Sequence, residues 1–264
     1  MTQYLIRHEK TSMLATPQIK LYEELLKRSW QRLCQQLDLP ADQAFVTQVY
    51  QELLASYAEP HRAYHSVQHL AECISLFEQV SHLAVEPTLL EIALWFHDAI
   101  YKTHPLPKQS THKQANNAQP NSKQLNNEQI SNEHLSNEQK SANWAAQFLK
   151  RCKVNPIIIQ QVNQLIMATQ HHQASNNEDK LMVDIDLAIL GAMPARFAEY
   201  QQQIREEYDF VALALFNIKR REVLAGFYQR PRIYQTDYFY SRYEKQAREN
   251  LQAALANDNK DFTG

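Results

Sequence analysis

The chain has 264 residues, 44% of them hydrophobic, and a formal net charge of −2. That length is enough for one domain with a sizeable core, and so balanced a charge excludes a general nucleic-acid-binding surface. Three glycines in all argue against glycine-rich phosphate loops and against a sheet fold with many tight turns.

Residues 1 to about 18 show little periodicity and read as a loose terminus. The first ten residues lack a signal-peptide core. From Ile19 the pattern turns helical, with Leu21, Leu25, Trp30, Leu33 and Leu37 at helical spacing. Pro40 breaks the run, and Ala41-Asp42 opens a second helix through Phe45, Val49, Tyr50 and Leu53-Leu54, stopped near Pro60. Ser66 is a candidate cap for a third helix carrying Leu70, Ile74, Phe77 and Val80. This sets His65 at the mouth of that helix and His69 about one turn inside it. Pro87 starts a central apolar helix, Leu89 to Phe96, that ends in His97-Asp98.

Residues 105–139 are rich in Asn, Gln and Ser, with Asn-Glu-Gln or Asn-Glu-His at 127–129, 132–134 and 137–139. Such a segment cannot bury enough apolar surface to offset its ordering entropy, and a disordered Gln/Asn-rich insertion is expected. Helical pattern resumes at Ser141 with Trp144, Ala145, Phe148 and Leu149, and again at Pro156, ending at Thr169-Gln170-His171-His172. Leu181 to Leu190 is apolar but for Asp184 and Asp186. Three more helices are expected at about 194–208, 213–228 and 238–256, with a tail over 257–264. With no strand-length alternation, the reading is an all-α bundle forming one domain over residues 19–256. No apolar run approaches the roughly 20 residues that span a bilayer. Cys34, Cys73 and Cys152 show no Cys-x-x-Cys pairing and read as reduced thiols. These features lead to the expectation of a cytoplasmic protein without membrane or nucleic-acid partners; its oligomeric state stays open.

The chemistry-bearing residues lie where polar groups are costly. His97 and Asp98 end an apolar run, so each must be hydrogen-bonded, ion-paired or metal-bound. An isolated His-Asp pair does not decide among these. Converging helices can bring it together with His65 and with an Asp of Asp184-Ile185-Asp186. Two imidazoles and two carboxylates form a mixed nitrogen–oxygen site for one divalent cation (Mn, Mg, Co, Ni, Zn or Fe), with positions left for water and substrate. Such a site supports hydrolysis by activated water. No Gly-x-Ser-x-Gly elbow offers a nucleophile instead.

The order His…His-Asp…Asp on a helical chain resembles the HD-domain superfamily of metal-dependent phosphohydrolases. The surrounding motifs resemble a bacterial subgroup of predicted HD phosphohydrolases. They are Arg-x-Tyr-His, Trp-Phe-His-Asp-Ala-Ile-Tyr, Asn-Glu-x-x-Ser-Ala, Asp-x-Asp-Leu-Ala-Ile-Leu-Gly and a late Ala-Arg-x-Asn-Leu. The likeness covers roughly residues 20 to 255. It implies an HD-like helical fold, one divalent metal and attack on the phosphoester of a small phosphorylated metabolite or nucleotide. By position it implies His65, His97, Asp98 and Asp186 as metal ligands, with Asp186 preferred to Asp184 because it precedes Leu187. Asp98 and His97 are the expected catalytic pair, Asp98 also orienting the attacking water.

Other residues carry two readings each. His69, four residues after His65, either shares the metal as an alternative ligand or, the preferred reading, makes a supporting hydrogen bond or lies at the surface; Asp184 either supports or replaces Asp186. Arg62 is a phosphate clamp or an ordinary ion pair, and Tyr101 lines the pocket or belongs to the core. Glu138 and His172 are further candidates for substrate contact. Arg205, Glu206, Glu207 and Tyr208 are read as a solvated helix face. The alternative to an enzyme is a metal- or nucleotide-binding sensor, or an interaction protein that uses the insertion.

Overall fold

The computed structural model describes residues 16–39, 43–103 and 135–257. Among these there are ten α-helices and no strand. In chain order they are α1 (Thr16–Gln36), α2 (Gln43–Tyr57), α3 (Val67–Val80), α4 (Pro87–Phe96), α5 (Asn137–Arg151), α6 (Pro156–His171), α7 (Asn177–Asp186), α8 (Pro194–Glu207), α9 (Leu213–Tyr228) and α10 (Asp237–Asn257). Short 3₁₀ turns, Ser81–Leu83 and Leu187–Gly191, come after α3 and α7. No described helix is long and apolar enough to cross a membrane.

Prolines set three of the starts. Pro87, Pro156 and Pro194 each occupy the first turn of a helix, where the missing N–H costs nothing. Two expected boundaries move. α1 begins at Thr16, inside the segment read as a loose terminus. At the far end of the insertion, Asn137–Gln139 belong to α5, started by a capping box in which Ser136 and Gln139 satisfy each other's backbone N–H. Most of the expected insertion, residues 104–134, lies outside the described residues, as does the expected tail from 258 onward.

The core is built around α4. Eight of its ten residues are buried, and it packs on α6, α3, α5 and α1. Trp30, Tyr50, Trp95, Phe96 and Phe148 form one aromatic cluster with centroid separations of 5.1–5.8 Å. A helix this apolar all round must sit at the centre, which leaves the polar His97-Asp98 at its end deep in the protein.

A second packing feature fixes the segment after α7. Gly191 lies so close to α10 that a methyl group there would fall 2.7 Å from the Tyr243 carbonyl oxygen. Asn250 on α10 donates to the carbonyls of Leu190 and Ala192 (2.9 and 2.8 Å), and Tyr234 donates to that of Leu187 (3.0 Å). The 3₁₀ turn directly after Asp186 is thus strapped to the C-terminal helix. Asn250 comes from the late Ala-Arg-x-Asn-Leu motif and Gly191 from the Asp-x-Asp motif, so the two motifs meet here.

Candidate metal centre

His97 is the C-cap of α4, its N–H bonded to the Ala93 carbonyl at 2.9 Å. Helix end and turn leave backbone carbonyls without helical partners. Arg62 supplies them: one terminal nitrogen donates to the Asp98 carbonyl (2.6 Å) and that of His65 (3.3 Å), the other to that of Ala99 (3.0 Å). Its Nε donates to Glu59 at 3.1 Å, and the side chain is fully buried. Arg62 therefore braces the turn. Four of its five N–H groups are taken and its side chain is buried, which fits the brace better than the phosphate clamp of its other reading. Tyr57, accepting from the Asp98 N–H at 3.3 Å, holds the same turn.

Three stretches then converge. His69, on α3, sets its Nε2 3.2 Å from Nε2 of His97, 3.4 Å from an Asp98 oxygen and 3.3 Å from an Asp186 oxygen. His97 Nε2 lies 3.2 Å from the same Asp98 oxygen and 3.6 Å from the same Asp186 oxygen. Four donor atoms thus have five mutual separations between 3.2 and 3.6 Å. A tetrahedron with bonds of about 2.1 Å has edges of about 3.4 Å, so this is the spacing of ligands around one shared ion. Cys73, one turn beyond His69 with Sγ 3.8 Å from both ring nitrogens, adds a fifth candidate donor.

The hydrogen bonding suits a cation. His97 Nδ1 is 2.8 Å from the Leu94 carbonyl, which can only accept. Nδ1 therefore carries a proton, and Nε2 of the neutral ring faces the cluster with its lone pair. Without a positive charge, two imidazole nitrogens and two carboxylates would confront one another as acceptors. Protons fill the role in the metal-free protein. Burial opposes charge on both rings, but Cys73, Tyr64, Asp186 and Asp98 around His69, and Asp98, Tyr57 and Asp186 around His97, hold them well above the usual imidazole range. Burial likewise works against ionised Asp98 and Asp186. Neighbouring His97 and His65 for the first, and His172, His69 and His97 for the second, nonetheless hold them well below the usual carboxylate range. Any metal bound there would compete with these protons.

The placement changes the expected roles of two histidines. His69, for which a supporting or surface position is the preferred expectation and a ligand's the alternative, is within the four-residue cluster. His65, expected as a ligand, precedes α3 and turns its Nδ1 to Glu207, 2.7 Å away. The α3 helix runs its buried stripe through His69, Cys73 and Val80, so helix phase brings His69 inward. Of the two candidate aspartates at the end of α7, Asp186 joins the cluster, whereas Asp184 accepts the N–H groups of Gln235 (2.9 Å) and Thr236 (2.7 Å) and the Thr236 hydroxyl (2.7 Å). Asp184 thus ties α7 to the entry of α10, and burial raises its carboxyl above the usual value.

His172 caps α6 in the left-handed conformation, φ 48°, which costs a non-glycine residue about 1–2 kcal/mol. Its Nε2 reaches the second oxygen of Asp186 at 3.3 Å, its ring meets Phe227 edge-on, and Arg230 donates to its carbonyl at 3.2 Å. This candidate thus stands beside the cluster. Tyr101 is buried, stacked on the His65 ring at 4.0 Å, and donates to Glu207 at 3.1 Å. Glu138 lies in the first turn of α5, beside Asn137, which pairs with the Lys102 backbone.

Glu207, read as part of a solvated face, is 2% exposed. The signal was its phase: Phe197, Tyr200, Ile204 and Glu207 form the buried stripe of α8. Compared with models of known protein families, with curated proteins and with solved structures, the chain matches none.

Proposed function

We propose that the protein is a metal-dependent phosphohydrolase of the HD-domain type, cleaving the phosphoester of a small phosphorylated metabolite or nucleotide. The observation that carries this reading is the set of 3.2–3.6 Å separations among His69, His97, Asp98 and Asp186. These residues would hold one divalent ion, which supplies Lewis-acid polarisation of a phosphoryl oxygen and an acidified water. Cys73 leaves open a softer ion than a purely nitrogen–oxygen set would choose.

The chain's own residues do the rest. Asp98 orients a water for attack on phosphorus and accepts its proton. Arg62 and Tyr57 keep Asp98 in place through the backbone of its turn. His172 holds the second oxygen of Asp186 and so fixes the carboxylate's angle. Partial exposure of Asp98 and Asp186, 16% and 13%, leaves the cluster an open side.

Purified protein should carry close to one equivalent of a first-row divalent ion by elemental analysis. It should release phosphate from a panel of nucleotides and sugar phosphates, in dependence on that ion. Asp98→Ala should lose both properties while keeping its helical circular dichroism. Stoichiometric metal with no turnover across the panel would favour the sensor reading. Absence of metal binding under any divalent ion would end both.

A further inference from the structure

We propose that Cys73 is an alternative ligand of the metal centre, one that takes the place of Asp98 when the ion is thiophilic, such as zinc or cadmium, and thereby shuts the site. What is shut off rests on the phosphohydrolase reading; the ligand assignment itself does not. Cys73 lies one turn after His69 on the buried stripe of α3 and is 2% exposed. Its Sγ is 3.8 Å from both nitrogens of the His69 ring. The donor atoms of His69, Cys73, His97 and Asp186 all lie within 4.8 Å of one another. The centre thus holds two overlapping sets of four. Both contain His69, His97 and Asp186, and they differ in the remaining donor, an oxygen of Asp98 or the sulfur of Cys73. Cys34 and Cys152 lie on α1 and at the end of α5, outside both sets.

Ion chemistry chooses between the sets. Oxygen-preferring ions such as manganese or magnesium select the two carboxylates, which already balance a divalent charge, so Cys73 stays a thiol. Thiophilic ions favour sulfur. Bonds of about 2.3 Å to sulfur and about 2.0 Å to nitrogen set a tetrahedral edge of about 3.5 Å. The Sγ–Nε2 separation of 3.8 Å is close to that edge, and a turn about the Cys73 Cα–Cβ bond brings the sulfur toward the other donors. In the exchange the metal–sulfur bond forms and the thiol proton leaves to solvent. The bond to Asp98 breaks, its electron pair staying on the carboxylate. Asp98 is the ligand with somewhere to go: its side chain is 16% exposed, whereas His172 holds the second oxygen of Asp186. One thiolate for one carboxylate leaves the charge around the ion unchanged. Two imidazoles, a thiolate and a carboxylate make a closed tetrahedron of the structural kind, with no position for water. Asp98, which orients the attacking water, is then off the ion as well.

The test titrates metal-free protein with cobalt(II), a spectroscopic stand-in for zinc. Wild-type protein should develop an ultraviolet sulfur-to-cobalt charge-transfer band and the intense visible bands of a four-coordinate ion, both saturating at one equivalent. Cys73→Ser should lack the ultraviolet band, and its affinity for zinc relative to manganese, measured by competition, should fall by about 100-fold, the upper end of what even an indirect partner of a metal contributes. Cys73→Ala repeats both measurements where the serine variant fails to fold. With no substitution at all, cadmium bound to the wild-type protein should resonate in the range of sulfur ligation by NMR. On manganese-loaded protein, one equivalent of zinc should suppress phosphate release from 4-nitrophenyl phosphate. Absence of the ultraviolet band, or its survival in the Cys73 variants, overturns the ligand assignment. Zinc-loaded protein that hydrolyses as fast as manganese-loaded protein overturns the shut-off. If the band is present but no ion supports hydrolysis of any ester in the panel, the phosphohydrolase reading falls and Cys73 stands as a ligand.

Discussion

The two ends of α4 each bury a polar assembly, and they are built on opposite principles. Toward the N-terminal end, Glu91 is 1% exposed and accepts from the Ser29 hydroxyl at 2.6 Å and from Arg32, which also reaches Glu78. Ser29 in turn accepts from the Trp95 indole at 2.9 Å. Donors and acceptors match, and the network is complete within the chain. Less than two turns further on, His69, His97, Asp98 and Asp186 point lone pairs at one another. That assembly closes only when positive charge, as protons or an ion, is added. A buried network that satisfies itself is architecture; one that needs added charge is a candidate binding site.

Mutations should separate the two. Glu91→Ala leaves Arg32 and Ser29 facing a hole, and breaking one side of a buried charged network costs about 3–5 kcal/mol. Urea unfolding should show that loss, while the gain in stability on adding the divalent ion persists. Asp186→Ala should reverse the pattern. Wild-type protein should gain about 2.7 kcal/mol at a hundredfold excess of ion over its Kd, and the variant close to nothing, as read from thermal midpoints with and without metal.

Two finer changes sharpen the contrast. Asp184→Asn keeps an acceptor but weakens the charge-assisted bonds to residues 235 and 236, a loss of about 1–2 kcal/mol. Metal stoichiometry by elemental analysis should be unchanged, although Asp184 is only two residues from Asp186. The smallest effect concerns acid. Burial works against the charge of Glu207, but His65 and the two N–H donors outweigh it and hold its carboxyl below the usual range. A depressed carboxyl stabilises the fold above its unfolded pKa, and that contribution disappears as pH falls through the folded value. Glu207→Gln should therefore flatten the acid side of the stability–pH curve, read from urea unfolding at a series of pH values; an unchanged acid limb would contradict that reading.

Much of the helical framework was legible because local signals agreed. Prolines at 87, 156 and 194 open helices, and the apolar run through Trp95 and Phe96 carries the residues at its end into the interior. The pair His97-Asp98 was visible for that reason. The choice between His65 and His69 was not, because both stand at a helix entrance and only the phase set by Cys73 and Val80 separates them. Asp184 and Asp186 are distinguished by the approach to α10, some fifty residues on, through bonds no local pattern encodes. Glu207 was hidden among charged neighbours, although its stripe with Phe197, Tyr200 and Ile204 betrayed it. The capping box at Ser136 and Gln139 was masked by the Asn-Glu repeats that run into it.

The strap between the Gly191 turn and α10 has a consequence for synthesis. A ribosome delivers His69, His97 and Asp98 early, but Asp186 gains its anchorage only when Tyr234 and Asn250 emerge. If the cluster holds an ion as proposed, its capture is therefore the last event in the protein's assembly. A nascent chain halted before the final helix would carry the full set of ligands without the brace that holds one of them, and would keep the metal weakly or not at all.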